Sequence, residues 1–231
     1  MSPPLPARIF LADQHGLLTT PQSGRCSVFS FGPYQDAQRQ PLGRLLAINE
    51  ETLHGGQELV LPASQAAYCL VLPLTGEISC GVAAELALVQ VEQAWGATVA
   101  AGAALTLRNP YAAEAVRFLH IWVAAPETPP APPETISYTF AQLENNLAEL
   151  VSTSGNRPFS LSLGRFNGRE EAVYHLRHPD ALFFAYVLAG AFEVEGRLLH
   201  ARDGLALWQL RQAELEALSN NALVVVLEVV P

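Results

Sequence analysis

Apolar residues in this chain come in short runs, each closed by Gly, Pro or Asn. "AAYCLVLPLTGEISC" (66–80), "VRFLHIWVA" (116–124), "FFAYVLAGAFEVEG" (183–196) and "ALVVVLEVV" (222–230) are the clearest. Runs of this length, rich in β-branched and aromatic residues, predict strands, and they are too short to cross a bilayer. One segment breaks the pattern. "FAQLENNLAELVS" (140–152) places Phe140, Leu143, Leu147 and Leu150 at helical spacing and predicts a short amphipathic helix. Just before it, "APETPPAPPETIS" (125–137) carries five prolines. Proline lacks a backbone donor, so the segment reads as an extended linker between residues 1–124 and 138–231.

The halves resemble each other. "LVLPLTGEISC" aligns with "AYVLAGAFEVEG", so that Gly76 falls on Gly190, and "LTLRNP" before "VRFLHIWV" parallels "EALSNN" before "LVVVLEVV", so that Asn109 falls on Asn220. Two strands around a Gly turn, a strand ending near Asn and a last apolar strand recur in order. That order predicts an internal duplication; a chance match of generic strands is the alternative.

Composition narrows the function. Half of the 231 residues are hydrophobic and 15% are charged, enough to bury a core. The net charge is −9, from 13 Lys+Arg against 22 Asp+Glu, with no basic run. A phosphate-tracking surface for nucleic acid and attraction to an anionic membrane are therefore not expected. Cys26, Cys69 and Cys80 have neither metal-finger spacing nor an even disulfide count, which suits a reducing cytoplasm. The start, "MSPPLPARIFLADQHG", shows no secretion signal.

"RIFLADQHG" followed by "CSVFSFGPYQDAQRQPLGRLLAINEETLHGGQ" resembles the N-terminal signature of the pirin family. The likeness continues through "RNPYAAEAVRFLHIWVA" and, after the linker, "ARDGLALW" and "ELEALSNNALVVVLEV". It covers nearly the whole chain and implies an all-β fold of two tandem cupin domains, each a double-stranded β-helix barrel. Metal-holding pirins, including those with quercetin dioxygenase activity, bind an iron-type cation in the N-terminal cupin through a His-x-His loop and a later His-x-Glu pair. Such ligands with open positions suit a redox metal that must also hold a flavonol or oxygen. Counting from Gly76, the first pair falls on Pro62 and Ser64. Counting from Gly102 and Trp122, the second falls on Leu107 and Asn109. A one-residue slip meets Leu61, Ala63, Gln65, Thr106, Arg108 or Pro110, none of them a histidine or carboxylate. The resemblance thus implies a subgroup whose ligands are gone.

Other candidates read as structural. His54 falls in a Gly-rich surface turn and His120 in an apolar strand as a hydrogen-bonded core residue. His175 and His178 belong to a solvated loop, and His15 and His200 lie beside turns without visible partners. Cys69 and Cys80 read as small apolar residues. Asn109 and Asn220 suit turns, where Asn bonds its neighbours. No Cys/His dyad, nucleophile elbow or phosphate loop is readable, so no catalytic residue, metal or cofactor is expected. A cupin interior stays concave without a metal, with Ser64, Tyr68 and Asn109 as its polar groups; it is either open or filled by side chains. The sequence therefore points to a cytoplasmic bicupin that binds an unidentified small molecule or protein. The alternative is a flavonol dioxygenase with a displaced metal site.

Overall fold

A computed structural model describes residues 6–83, 85–126, 132–153 and 157–231. The first strand, β1 (Ala7–Phe10), pairs antiparallel with Gly204–Leu207, far away in sequence. The chain accordingly divides into two units. One is His15–Tyr138; the other joins the segment before His15 to Thr139–Pro231.

The first unit is built from β2 (Gly16–Thr19), β3 (Ser23–Ser27), β4 (Leu45–Leu53), β5 (Glu58–Pro62), β6 (Ala67–Thr75), β7 (Glu77–Val82), β8 (Ala87–Gln90), β9 (Gln93–Val99), β10 (Ala104–Arg108), β11 (Val116–Ala124) and β12 (Glu134–Ser137). A seven-stranded sheet runs β12-β9-β6-β11-β4-β3-β2, and a four-stranded sheet runs β5-β10-β7-β8. Strand alternation sends Cys69 and Val71, Trp95 and Ala97, Leu105 and Leu107, and Phe118 into one apolar core. The valine, leucine and phenylalanine side chains among them each contribute about 1.5–3 kcal/mol on burial.

The second unit repeats the scheme with β13 (Asn146–Val151), β14 (Phe159–Phe166), β15 (Glu171–His175), β16 (Leu182–Ala189), β17 (Ala191–Val194), β18 (Arg197–His200), β19 (Gly204–Leu207), β20 (Gln212–Ala217) and β21 (Ala222–Val229). Its sheets run β1-β19-β16-β21-β14-β13 and β15-β20-β17-β18. The shared pairing is close: β10 lies between β5 and β7 as β20 lies between β15 and β17. Gly76 (φ +70°) and Gly190 (φ +76°) close equivalent hairpins in a conformation that side-chain-bearing residues rarely adopt. Asn109 and Asn220 are less equivalent, since the first directly follows β10 and the second stands three residues beyond β20.

Two expectations from the sequence fail. Residues 140–152 are not an amphipathic helix. One turn forms, with Leu143 N–H donating to Phe140 O at 3.2 Å. The Asn145–Asn146 pair then interrupts it. Asn145 adopts φ +50° and its Oδ1 accepts from Asn167 N–H at 2.9 Å, after which β13 pairs with β14. A ladder of backbone bonds outweighs a weak helical period. The end of the Pro-rich segment also differs. Beyond Pro133 the residues have backbone donors again, and Glu134–Ser137 joins β9 as β12. Residues 127–131 lie outside the described residues.

Candidate functional site

The first unit carries a cleft of about 550 Å³. Its walls are largely apolar, with Phe31, Leu46, Leu59, Leu61 and Trp122, and it reaches Pro62, Ala63 and Ser64. Volume and lining both fall in the range of small-molecule sites.

The charged group in this wall is Arg25, on β3. Its side chain is 6% exposed. In register across the sheet stands Glu51 on β4, whose side chain is fully buried, and Arg25 Nε donates to Glu51 Oε1. The same oxygen faces His120 Nε2 on β11 at 3.4 Å. Trp122 Nε1–H donates to His120 Nδ1 at 2.8 Å. An indole nitrogen can only donate, so Nδ1 accepts and the imidazole proton sits on Nε2, directed at Glu51. This chain of bonds ties the cleft residues Arg25 and Trp122 to one buried carboxylate. Phe31 completes the group: the Arg25 guanidinium lies 4.9 Å from its ring centroid, and Trp122 lies 5.7 Å from it ring to ring.

His120 is a core histidine, as its apolar surroundings in the sequence suggest. Burial drives its pKa below the ordinary 6.5; the hydrogen bond and charge of Glu51 oppose this, and Arg25 adds to it. Between 6.5 and the lower folded value, only the unfolded chain takes up the proton. The contribution of His120 to stability is therefore complete above 6.5 and declines as pH falls below it, by about 1.4 kcal/mol per pH unit. Melting curves at about pH 7.5 and about pH 5.5 should show a smaller acid-induced loss for His120→Gln than for the natural protein. Equal losses would contradict this.

The four positions that the resemblance marks as former ligands do not converge. On β5 the burial alternates: Leu61 is buried, and so is Ala63 just beyond the strand, whereas Pro62 and Ser64 are exposed at the cleft rim. Leu107 is fully buried, opposite Leu59 and Cys80. Pro62 pairs with Ala104, three residues along β10 from Leu107, or about 10 Å. Asn109 is fully engaged. Its amide donates to Leu53 O at 2.9 Å and Glu114 O at 2.8 Å, and its Oδ1 accepts from Tyr111 N–H at 3.0 Å. Its role is the turn role read from the sequence. Tyr68 is not a cavity group either. It leaves β6 on the face opposite Cys69 and Val71, and its hydroxyl donates to Glu134 Oε1 at 2.7 Å.

The inward positions are thus Leu61, Ala63, Leu105 and Leu107, all in the apolar core. An iron-type cation does not fit this set, since none of these side chains has a donor atom. Among the described residues, no three His, Cys, Asp or Glu side chains come together as a metal site.

The remaining candidates are structural, with one addition. His54 Nδ1 lies 3.1 Å from Pro21 O at an exposed turn, and His178 Nδ1 accepts from Asp180 N–H at 3.2 Å within its own loop. His15, unpartnered to the eye in sequence, has its Nδ1 3.5 Å from Cys26 Sγ. All three cysteines are free and buried, and burial raises the Cys69 and Cys80 thiols, which keeps them protonated. Sequence reasoning missed Arg25, Phe31, Glu51 and Trp122 as one site. The available signal was an arginine and a glutamate placed inside strands that are otherwise buried.

Two units of paired sheets around separate apolar cores, with a cleft in the first, define a bicupin. Residues 156–229 match the family described as the quercetinase C-terminal cupin domain. YhhW from Escherichia coli superposes with a TM-score of 0.84 at 18% identity, covering 97% of this chain and 98% of that one. The bacterial pirin YhhW from Escherichia coli in complex with nickel(II) gives 0.84 at 16% identity, covering 97% and 99%. A quercetin 2,3-dioxygenase from Acinetobacter baumannii gives 0.72 at 15% identity, covering 97% and 79%. No curated protein matches the sequence. Residues 156–229 thus match the quercetinase C-terminal cupin model, and the chain as a whole shares the two-cupin fold of the pirin structures. Among the described residues no helix is long and apolar enough to cross a membrane.

Proposed function

We propose that this protein binds a small organic molecule in the cleft of its first cupin, without a metal and without oxygenase activity. The observation that carries the reading is the apolar set Leu61, Ala63, Leu105 and Leu107 at the inward positions, beside an open cleft with a polar anchor. An open cleft favours a small molecule over a protein partner. Three free, buried cysteines support a reducing, cytoplasmic setting. The net charge of −9 argues against nucleic acid and membrane partners.

The second reading, a flavonol dioxygenase with a displaced metal site, draws on the quercetinase likeness of the C-terminal domain. One assay separates them. Quercetin absorbance should persist when the protein is incubated in air with ferrous or nickel ion, because the inward side chains Leu61, Ala63, Leu105 and Leu107 offer the cation no donor atom. Metal-dependent loss above a boiled control would establish the dioxygenase reading instead.

A further inference from the structure

Arg25 is the feature that the fold alone does not explain. Its side chain is 6% exposed, yet among the described residues its only polar partner is Glu51, through Nε. The terminal nitrogens Nη1 and Nη2 donate to nothing in the described residues, and the residue lines the cleft. Neither nitrogen is among the buried atoms left without a partner, so both keep access to the cleft and face it with unused donors. The surroundings keep it open. Phe31 covers one face, and Gly32 (φ +55°) borders Nη1, where a Cβ would make an ordinary van der Waals contact at 3.5 Å. The other polar groups are occupied or at the rim. Ser30 Oγ accepts from Asp36 N–H at 2.9 Å, and Ser64 and Gln65 are exposed.

We propose that the cleft takes an aromatic carboxylate, its two oxygens on Nη1 and Nη2 of Arg25 and its ring against the wall made by Phe31 and Trp122. This rests on the small-molecule reading above and names the ligand class. A carboxylate matches the fork with two parallel bonds, and both partners are charged. Glu51 already shares the guanidinium charge, so a bare anion gains little. The apolar walls must supply the rest of the affinity, which selects an anion with an aromatic body over acetate or phosphate.

Calorimetric titration of the full chain with 2-naphthoate and with 2-naphthamide, which has the same ring and no charge, tests this. The acid should bind roughly tenfold or more tightly than the amide, and acetate should not bind measurably. In Arg25→Gln the preference should fall to within about twofold. If that variant does not fold, the double variant Arg25→Met/Glu51→Leu, which removes the ion pair as a unit, carries the same comparison. Equal binding of acid and amide would overturn the carboxylate anchor and leave the cleft reading standing. Binding of neither would overturn both. A preference that persists without Arg25 would overturn its assignment as the anchor.

Discussion

Glu51→Ala should destabilise the protein by about 3–5 kcal/mol, the size expected when one partner of a buried ion pair is removed. The substitution strands the Arg25 guanidinium without its counter-charge and leaves the His120 Nε2–H without an acceptor. Glu51→Gln keeps an oxygen for Arg25 Nε and loses only the charge, so its effect should be about 1–3 kcal/mol. Arg25→Met/Glu51→Leu should recover much of the loss, because replacing a buried pair with apolar residues removes the desolvation penalty from both sides. Urea midpoints at unchanged slope report these differences. A Glu51→Ala loss below about 1 kcal/mol would mean that the carboxylate is better solvated than its burial indicates.

The second large effect concerns the apparent former ligand positions. The quadruple variant Pro62→His, Ser64→His, Leu107→His and Asn109→Glu should fail to create a metal site and should lose stability heavily. Leu107→His replaces a fully buried leucine between Leu59 and Cys80, at about 2–5 kcal/mol. Asn109→Glu removes the two donors that satisfy Leu53 O and Glu114 O, each worth about 1–3 kcal/mol once unpaired. Pro62 and Ser64 sit at the exposed rim, and the position opposite Pro62 lies about 10 Å along β10 from position 107, so the new side chains would not converge. Thermal unfolding should show a drop of roughly 10 °C or more, or no cooperative transition, and no recovery with nickel ion. Folding with a nickel-dependent rise would show that the four positions converge after all.

These positions also show how far the sequence could be read. The β architecture, the repeated hairpin around Gly76 and Gly190, and the turn role of Asn109 follow from local chemistry, and all are legible in the residues themselves. What failed was pairing across distance. Nothing in "ARIF" (7–10) states that its partner is β19, and nothing in "NLAELV" (146–151) states that β14 offers it a ladder. The count to the ligand loop reaches a segment that lines the cleft. Along it the strand period puts Leu61 and Ala63 inward and Pro62 and Ser64 outward, and a one-residue slip reverses every side chain. The same limit hid the Arg25–Glu51–His120 cluster, which is assembled from three strands. Arg25 and Glu51 stand out as charges inside buried strands, but nothing in either stretch states that they pair.

Metal titration of the natural protein followed by melting tests the central claim most directly. A cupin whose inward positions are Leu61, Ala63, Leu105 and Leu107 should melt at the same temperature with and without excess nickel or ferrous ion, because a cation that binds no native site adds nothing to folded-state stability. A rise in melting temperature that saturates at about one ion per chain, and that is lost on changing a single residue of the first cupin, would contradict it.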